Sequence, residues 1–366
     1  MIRILHVVAI MNRAGTETML MNYYRNINRE NVQFDFAMCS DEHADYEDEI
    51  TQMGGRIYRY PQYHGVNHFS YRKWWEEFFK THEEYRIVHG HIGSTAAIYL
   101  GVAKRHGRIA IAHSHGIWGP LDMKSLIYRM YSYKTRFVAD YFFGCSRQAL
   151  ETRYGNEIAN DSNRAWVLNN AIDARQYIFN EEIRKDVLSE LGISKDCFVV
   201  GTIGRLCEQK NPMMTIKILE EMKKRKLEFM FLWVGVGPMR DSILESLEKK
   251  SLSNQVIMLG IRDDIPRLLQ AFDCFILPSK CEGLGIVAVE AQASGIPTIC
   301  SDNVPAEAAV TDLCAFCNLG NVDEWVELIC KKRNVRSNTY SQIVSANYDI
   351  SNNAEWLEHF YCALPR

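Results

Sequence analysis

The sequence predicts an α/β protein with two parallel sheets, each covered by helices on both faces. Three observations predict it. The chain has 366 residues, and at roughly 100–200 residues per domain this is room for two domains. Short apolar runs alternate with longer amphipathic stretches, and parallel strands need such crossover connections. The alternation stops in a polar middle, over residues 151–165 and Asp173–Lys195, and then restarts.

In the first half, Ile2–Ile10, Gln33–Met38, Arg86–Gly90, Arg108–His113 and Tyr141–Cys145 read as strands. They are rich in Val, Ile, Phe and Ala, as strands buried on both faces are. Helical patterns at Thr16–Asn26, Thr95–His106 and Ser125–Phe137 separate them. The second half opens on the buried strand Cys197–Ile203. Phe229–Val234, Gln255–Leu259, Cys274–Leu277 and Thr298–Cys300 repeat the theme. Each half is Rossmann-like, which gives domains at 1–175 and 176–350. Ser351–Ala363 reads as one amphipathic helix with Trp356, Leu357 and Phe360 on one face. It is expected to pack back toward the N-terminal domain, as a separate segment over 351–366.

Composition excludes several classes. Hydrophobic residues are 47% and charged residues 24%, ordinary for a globular protein. With 9 Pro and 22 Gly the chain is neither fibrous nor disordered. A net charge of −3 does not suit a general polyanion binder, so no nucleic-acid partner is expected. Eleven cysteines, scattered from Cys39 to Cys362, argue for a reducing compartment rather than a disulfide framework. No apolar run reaches the roughly 18–20 residues of a membrane span. The N-terminus reads as a first strand, not a secretory leader. A cytoplasmic protein is expected.

Charge is uneven. Lys104, Arg105, Arg108, Lys124, Arg129, Lys134, Arg136 and Arg147 face only Asp122 and Asp140 between Leu100 and Arg147. Trp118, Tyr128, Tyr131, Tyr133 and Phe137 are interleaved. Such a stretch suits peripheral contact with an anionic membrane face. It also suits single-stranded nucleic acid, or a solvated helix with core tyrosines.

Two segments carry chemistry. In Leu277–Pro297 an apolar strand ends in Pro278-Ser279, and a loop with Glu282, Gly283 and Gly285 follows. A helix then starts near Ile286, and its free N–H groups make an anion site suited to a diphosphate. A carboxylate beside a phosphate repels it. Glu282 and Glu290 therefore read as acceptors for sugar or ribose hydroxyls, with Glu290 one turn into the helix. Each alone also fits a helix N-terminal charge. In Gly201–Pro212, Arg205 and Lys210 follow a buried strand. Together they can neutralise a leaving diphosphate without a metal.

These segments resemble retaining glycosyltransferases of the GT-B fold, in the large fourth family, especially bacterial exopolysaccharide and capsule enzymes. The resemblance rests on Gly204-Arg205, Gln209–Pro212, Val234–Pro238, Leu259–Asp264, Pro278-Ser279, Glu282-Gly283 and Glu290-Ala291. Ala14–Glu17 and Asn169–Asp173 extend it over nearly the whole chain. It implies that Arg205 and Lys210 hold the donor diphosphate and that Glu282 touches the transferred sugar. Backbone groups at Gly285, Ile286 and Val287 would hold sugar and phosphate. Glu290 would bind the ribose, and Gly260–Arg262 would lie beside the base. Gly15 matches a glycine-rich loop near the donor phosphate. The chain departs from the pattern at Ala14, where a glycine is usual, and at Asn170-Ala171, where Asn-Gly is common.

His113 and His115 end a strand, where similar enzymes place one histidine beside the transferred sugar. Local pattern favours His115 and strand length favours His113. Such a histidine can hydrogen-bond the sugar or the incoming hydroxyl. A structural or zinc-binding pair is the alternative, but the sequence shows no third and fourth ligands nearby. No Asp-x-Asp metal clamp occurs. Cys314-Ala-Phe-Cys317 has no second pair and reads as structural. Gly235-x-Gly237 lacks the third glycine of a nicotinamide fingerprint.

The expected function is retaining, metal-independent, cofactor-free transfer of a hexose from a nucleotide sugar, UDP-linked, bound by the C-terminal domain. The expected acceptor is a hydroxyl of a glycan or polyprenyl-diphosphate-linked glycan on the N-terminal domain. A nucleotide-sugar epimerase or hydrolase, or a non-catalytic nucleotide-sugar-binding subunit, are the rival readings.

Overall fold

The computed structural model describes residues 1–116, 123–333 and 335–365. Trp118, Asp122 and the Lys124 side chain lie outside the described residues. The chain forms two compact units, Met1–Ile172 with Ile350–Arg366, and Asp173–Asp349.

The first unit runs β1 (Ile2–Val7), α1 (Gly15–Asn26), β2 (Val32–Met38), α2 (Glu47–Gln52), β3 (Ile57–Arg59), α3 (His68–Thr81) and β4 (Ile87–Gly90). It continues with α4 (Ala96–Arg105), β5 (Ile109–Ser114), α5 (Met123–Tyr133), β6 (Tyr141–Gly144), α6 (Arg147–Tyr154), α7 (Asn156–Ala159) and β7 (Ala165–Val167). The sheet order is β3-β2-β1-β4-β5-β6-β7, with every pairing parallel.

The second unit runs α8 (Glu181–Glu190), β8 (Val199–Ile203), α9 (Pro212–Lys224), β9 (Met230–Val234), α10 (Arg240–Lys249), β10 (Val256–Gly260) and α11 (Ile265–Leu269). Then come β11 (Cys274–Leu277), α12 (Ile286–Ala293), β12 (Thr298–Ser301), β13 (Cys314–Cys317), α13 (Val322–Lys331) and α14 (Tyr340–Ser345). Its order is β10-β9-β8-β11-β12-β13, again all parallel. A last helix, α15 (Ile350–Ala363), returns to the first unit.

Strand order reverses at β1/β4 in one sheet and at β8/β11 in the other. Such switch points leave a crevice at the carboxyl ends of the strands, where ligands bind in open α/β sheets. Period-2 alternation builds the layers. In β1, Ile4 and Val8 just past its end face α1 and α15, while Leu5 and Val7 face the other layer, with Trp75 and Tyr99. In the second unit Val200, Phe231, Trp233 and Ile276 share a core with Ile218, Leu219 and Trp325. Each fully buried large side chain stabilises by about 1.5–3 kcal/mol.

The α/β architecture matches the expectation, and several boundaries are corrected. The polar stretch 151–165 is not a break: it holds the end of α6, all of α7 and the start of β7. The segment Ser125–Phe137 is helix only through Tyr133, and Lys134–Phe137 tightens into one 3₁₀ turn. Three short strands, β3, β7 and β13, escaped the periodicity, and β13 is the Cys-x-x-Cys segment itself. Helix α15 does pack on the first unit. Tyr361 Oη lies 2.6 Å from His89 Nδ1, and Glu358 accepts from Asn31 Nδ2 at 2.8 Å. Of its expected apolar face, Leu357 is buried while Trp356 stays 39% exposed and stacks on Phe360. Among the described residues no disulfide is formed, and no helix is long and apolar enough to cross a membrane.

Candidate functional site

Strands β8 and β11 are neighbours, with Val200 opposite Cys274 and Gly201 opposite Phe275. The loops that leave them therefore emerge side by side. The first runs from Gly204 to Asn211, where Pro212 starts α9 in the position proline favours. The second runs from Pro278 to Gly285. Lys280 N donates to Gln209 O at 2.7 Å, and Gln209 Nε2 donates to Cys281 O at 3.0 Å. Lys280 pairs with Glu208 at 2.6 Å.

The central contact is Lys210 Nζ to Glu282 Oε1, at 2.6 Å. Glu282 is buried, and Ser279 Oγ donates to the same oxygen at 2.6 Å. Both bonds use Oε1, so Oε2 accepts none from the described residues. A half-buried cation, a buried carboxylate and a spare acceptor thus meet at the switch point. Removing one partner of such a pair costs about 3–5 kcal/mol, because the other charge is stranded. Arg205 is exposed and makes no side-chain bond with the described residues.

Two glycines make this packing possible. Gly285 has φ +82° and precedes α12 without a side-chain cap, so the first N–H groups of the helix, at Ile286 and Val287, stay available. Gly235, at φ +127°, sits where a Cβ would stand 2.0 Å from the Gly204 carbonyl oxygen. Gly260, at the end of β10, also has positive φ, +66°, with open space beside it. Gly283 is half-buried in the second loop.

Glu290 lies in the second turn of α12 and accepts a hydrogen bond from Tyr177 Oη at 3.0 Å. Burial pushes its carboxyl up, and the Tyr177 bond opposes that. Arg262 is engaged: it grips Asp264 at 2.8 and 2.7 Å and reaches Glu190 at 3.4 Å. These carboxylates raise its already high pKa. Among the expected donor residues, Arg205, Lys210, Glu282, Gly283 and Gly285 lie on the two loops, and Ile286 and Val287 open α12. Glu290 lies further along α12, and Gly260 and Arg262 lie at and after the end of β10 in the same unit. Gly15 opens α1 in the first unit, exposed, with nothing within 4 Å of a would-be Cβ. Sequence reasoning assigned no role to Ser279 and missed Tyr177. Only Ser279, in the Pro-Ser strand end, carried a signal.

His113 and His115 sit at the end of β5. His113 is buried, with neither ring nitrogen bonded; the two ring centroids lie 4.0 Å apart. The expectation of no further ligands nearby is overturned. Register places His6 of β1 beside His89 of β4, and His91 follows. His6 Nδ1 and His91 Nε2 are 3.0 Å apart, and His91 Nδ1 and His115 Nε2 are 2.7 Å apart. Burial pushes His6 and His115 down to about 3, and His89, His91 and His113 well below their usual range. All five rings are neutral near pH 7. The signal was present: His89-Gly-His91 and His113-Ser-His115 repeat one spacing at the ends of neighbouring strands.

Residues 184–332 match the family of glycosyl transferases group 1. That match lies wholly within the second unit. The matched span contains Arg205, Lys210, Arg262, Glu282 and Glu290, and leaves out His113, His115 and Gly15. Along nearly its whole length the chain is similar to the putative glycosyltransferase EpsF of Bacillus subtilis (strain 168). They are 29% identical over 375 residues, 98% of this chain and 96% of that one. An Escherichia coli relative, UDP-Gal:alpha-D-GlcNAc-diphosphoundecaprenol alpha-1,3-galactosyltransferase, is 28% identical over 232 residues, 60% of this chain and 58% of its own. In fold the chain is similar to Anabaena Alr3699/HepE, solved in complex with UDP. The TM-score is 0.82 at 17% identity, with all of both chains covered. Its fold is that of the GT-B glycosyltransferases.

Proposed function

We propose that this chain is a glycosyltransferase that moves a hexose from a UDP-linked sugar to a hydroxyl of a glycan or polyprenyl-diphosphate-linked glycan in polysaccharide biosynthesis, with retention at the anomeric carbon. The observation that carries the reading is the joined pair of loops at β8/β11. Arg205, Lys210 and the uncapped start of α12 lie on the loops that leave two neighbouring strand ends, with Lys210 held by Glu282. That arrangement stabilises a departing diphosphate where its charge develops, and the two cations do so without a metal. Glu282 Oε2 is the acceptor for a hydroxyl of the transferred sugar. Glu290 binds the ribose by exchanging its Tyr177 bond for a diol. The leaving phosphate takes the proton of the acceptor hydroxyl, which attacks from the same face. His113 or His115 hydrogen-bonds the incoming hydroxyl. The UDP complex of the Anabaena protein and the named activity of the Escherichia coli relative support the donor and the lipid-linked acceptor.

Contact with an anionic bilayer belongs to the same reading. Val66, Phe69, Met130 and Phe137 are 96, 87, 67 and 73% exposed. A groove of about 640 Å³ is lined by Arg72, Arg105, Met130 and Lys134. Some of the charge is balanced, since Arg105 pairs with Glu76 and Lys104 with Asp140.

Titration calorimetry with UDP, GDP and ADP tests the donor site. Selective UDP binding that weakens in Lys210→Ala and Glu290→Ala is the expected result. Binding indifferent to both substitutions would remove the site assignment. The anomer of the product, read by NMR with a lipid-linked acceptor, then decides retention.

A further inference from the structure

The histidines at the β1/β4 switch point are more than the proposed reaction requires. We propose that His6, His89 and His91 form a binding site for a divalent transition-metal ion, of which Zn²⁺ is the representative. One ring nitrogen from each of the three lies within 4.8 Å of the others. His6 Nδ1 and His91 Nε2 are already 3.0 Å apart, close to the about 3.3 Å that two nitrogens span on a tetrahedral zinc with bonds of about 2.0 Å.

The other nitrogens are arranged as ligating imidazoles require. His89 Nδ1 lies 2.6 Å from Tyr361 Oη, which leaves Nε2 buried and without a partner. His91 Nδ1 lies 2.7 Å from His115 Nε2, which leaves Nε2 for the ion. Such outer partners fix the ring orientation and tautomer of a metal-bound histidine. His113 borders the fourth position: its ring is 5.3 Å from that of His89 and 5.2 Å from that of His91, and neither of its nitrogens is bonded. An all-imidazole donor set selects zinc, copper, nickel or cobalt over magnesium or calcium. The ion would tie β1 to β4 and, through Tyr361, to α15. This role is structural.

The test uses the full chain, stripped with a chelator, dialysed and titrated with Zn²⁺. Bound metal is measured by mass spectrometry, and Co²⁺ replaces Zn²⁺ for its visible spectrum. One ion per chain, with tetrahedral Co²⁺ absorption and a raised Tm, is expected. His89→Gln should abolish binding. Tyr361→Phe, which keeps the ring and all three ligands, should weaken it about 10–100-fold. The pair His43→Ala and His64→Ala, on exposed histidines, should change nothing. Folded wild type that retains no ion would overturn the proposal. So would an ion that survives in Tyr361→Phe at full affinity and in His89→Gln, or one lost with His43 and His64. If His89→Gln fails to fold, Tyr361→Phe and the cobalt spectrum still decide.

Discussion

At the β8/β11 junction the strand ends carry Lys210 bonded to Glu282, an exposed Arg205, and loops that turn at glycines of positive φ. At the β1/β4 junction the strand ends carry His6, His89 and His91, neutral and packed among aromatic rings. Both junctions are the same topological event in a parallel sheet. One carries charge and backbone N–H groups; the other holds uncharged nitrogen donors under a helix. Topology supplies the crevice, and the side chains at its rim decide what enters.

The largest expected effect tests the charged junction. Lys210→Ala should lower transferase turnover by about 10²–10³, the range for loss of one group that stabilises a developing anion. Unchanged turnover in the folded variant would break the contrast. Next comes Gly235→Ala. Its methyl would collide with the Gly204 carbonyl, so stability should fall by more than about 3 kcal/mol, read by denaturant unfolding.

Acid should separate the two junctions. In metal-free protein, His6 has its folded pKa pushed down to about 3 from an ordinary 6.5. The unfolded chain therefore takes up the proton first, and stability falls as pH drops from about 6.5 toward 3. For His6 alone the loss is about 2 kcal/mol at pH 5. The groups around it, His89, His91, Phe34 and Phe36, supply no negative charge to oppose this. His6→Phe should flatten the profile; an equally steep one would assign acid sensitivity elsewhere.

Glu290→Gln should weaken UDP about tenfold, or about 1.4 kcal/mol. Tyr177→Phe should leave UDP binding equal or tighter, because it frees the carboxylate. Equal losses in both would show that Tyr177 positions Glu290 rather than competes for it. The smallest effect is Trp356→Ala. With 39% of the ring exposed, it should cost less than about 2 kcal/mol by thermal unfolding.

The interior strands were legible because burial on both faces writes them as largely apolar runs, even where Arg3 and His6 interrupt β1 and Gln33 and Asp35 interrupt β2. Edge strands β3 and β7 have three residues each, too few for any period to show, and β13 hid within a cysteine spacing. At the charged junction the residue types were legible in their loops. Their pairing was not: Lys210 and Glu282 stand 72 positions apart, and only the adjacency of β8 and β11 joins them. The histidines follow the same rule. Each was visible near a strand end, but strand register turns two His-x-His spacings and a lone His6 into one cluster. Tyr177 comes from a 3₁₀ turn, whose side-chain direction no periodic pattern encodes.

Helix α15 has a consequence for how the chain is made. Its Tyr361 meets His89, its Phe360 packs on Phe143 and Trp166, and its Ile350 N–H bonds Ile172 O at 2.8 Å. These partners leave the ribosome long before it. The second unit, synthesised in between, has all its strands before α15 appears. It can close as a body while one layer of the first sheet, covered by α1 and α2, still lacks α15. The second unit can thus complete before the first, against the usual N-to-C order of domain folding during synthesis, and Phe34 and Phe143 wait for Tyr361 and Phe360 until the last helix is made.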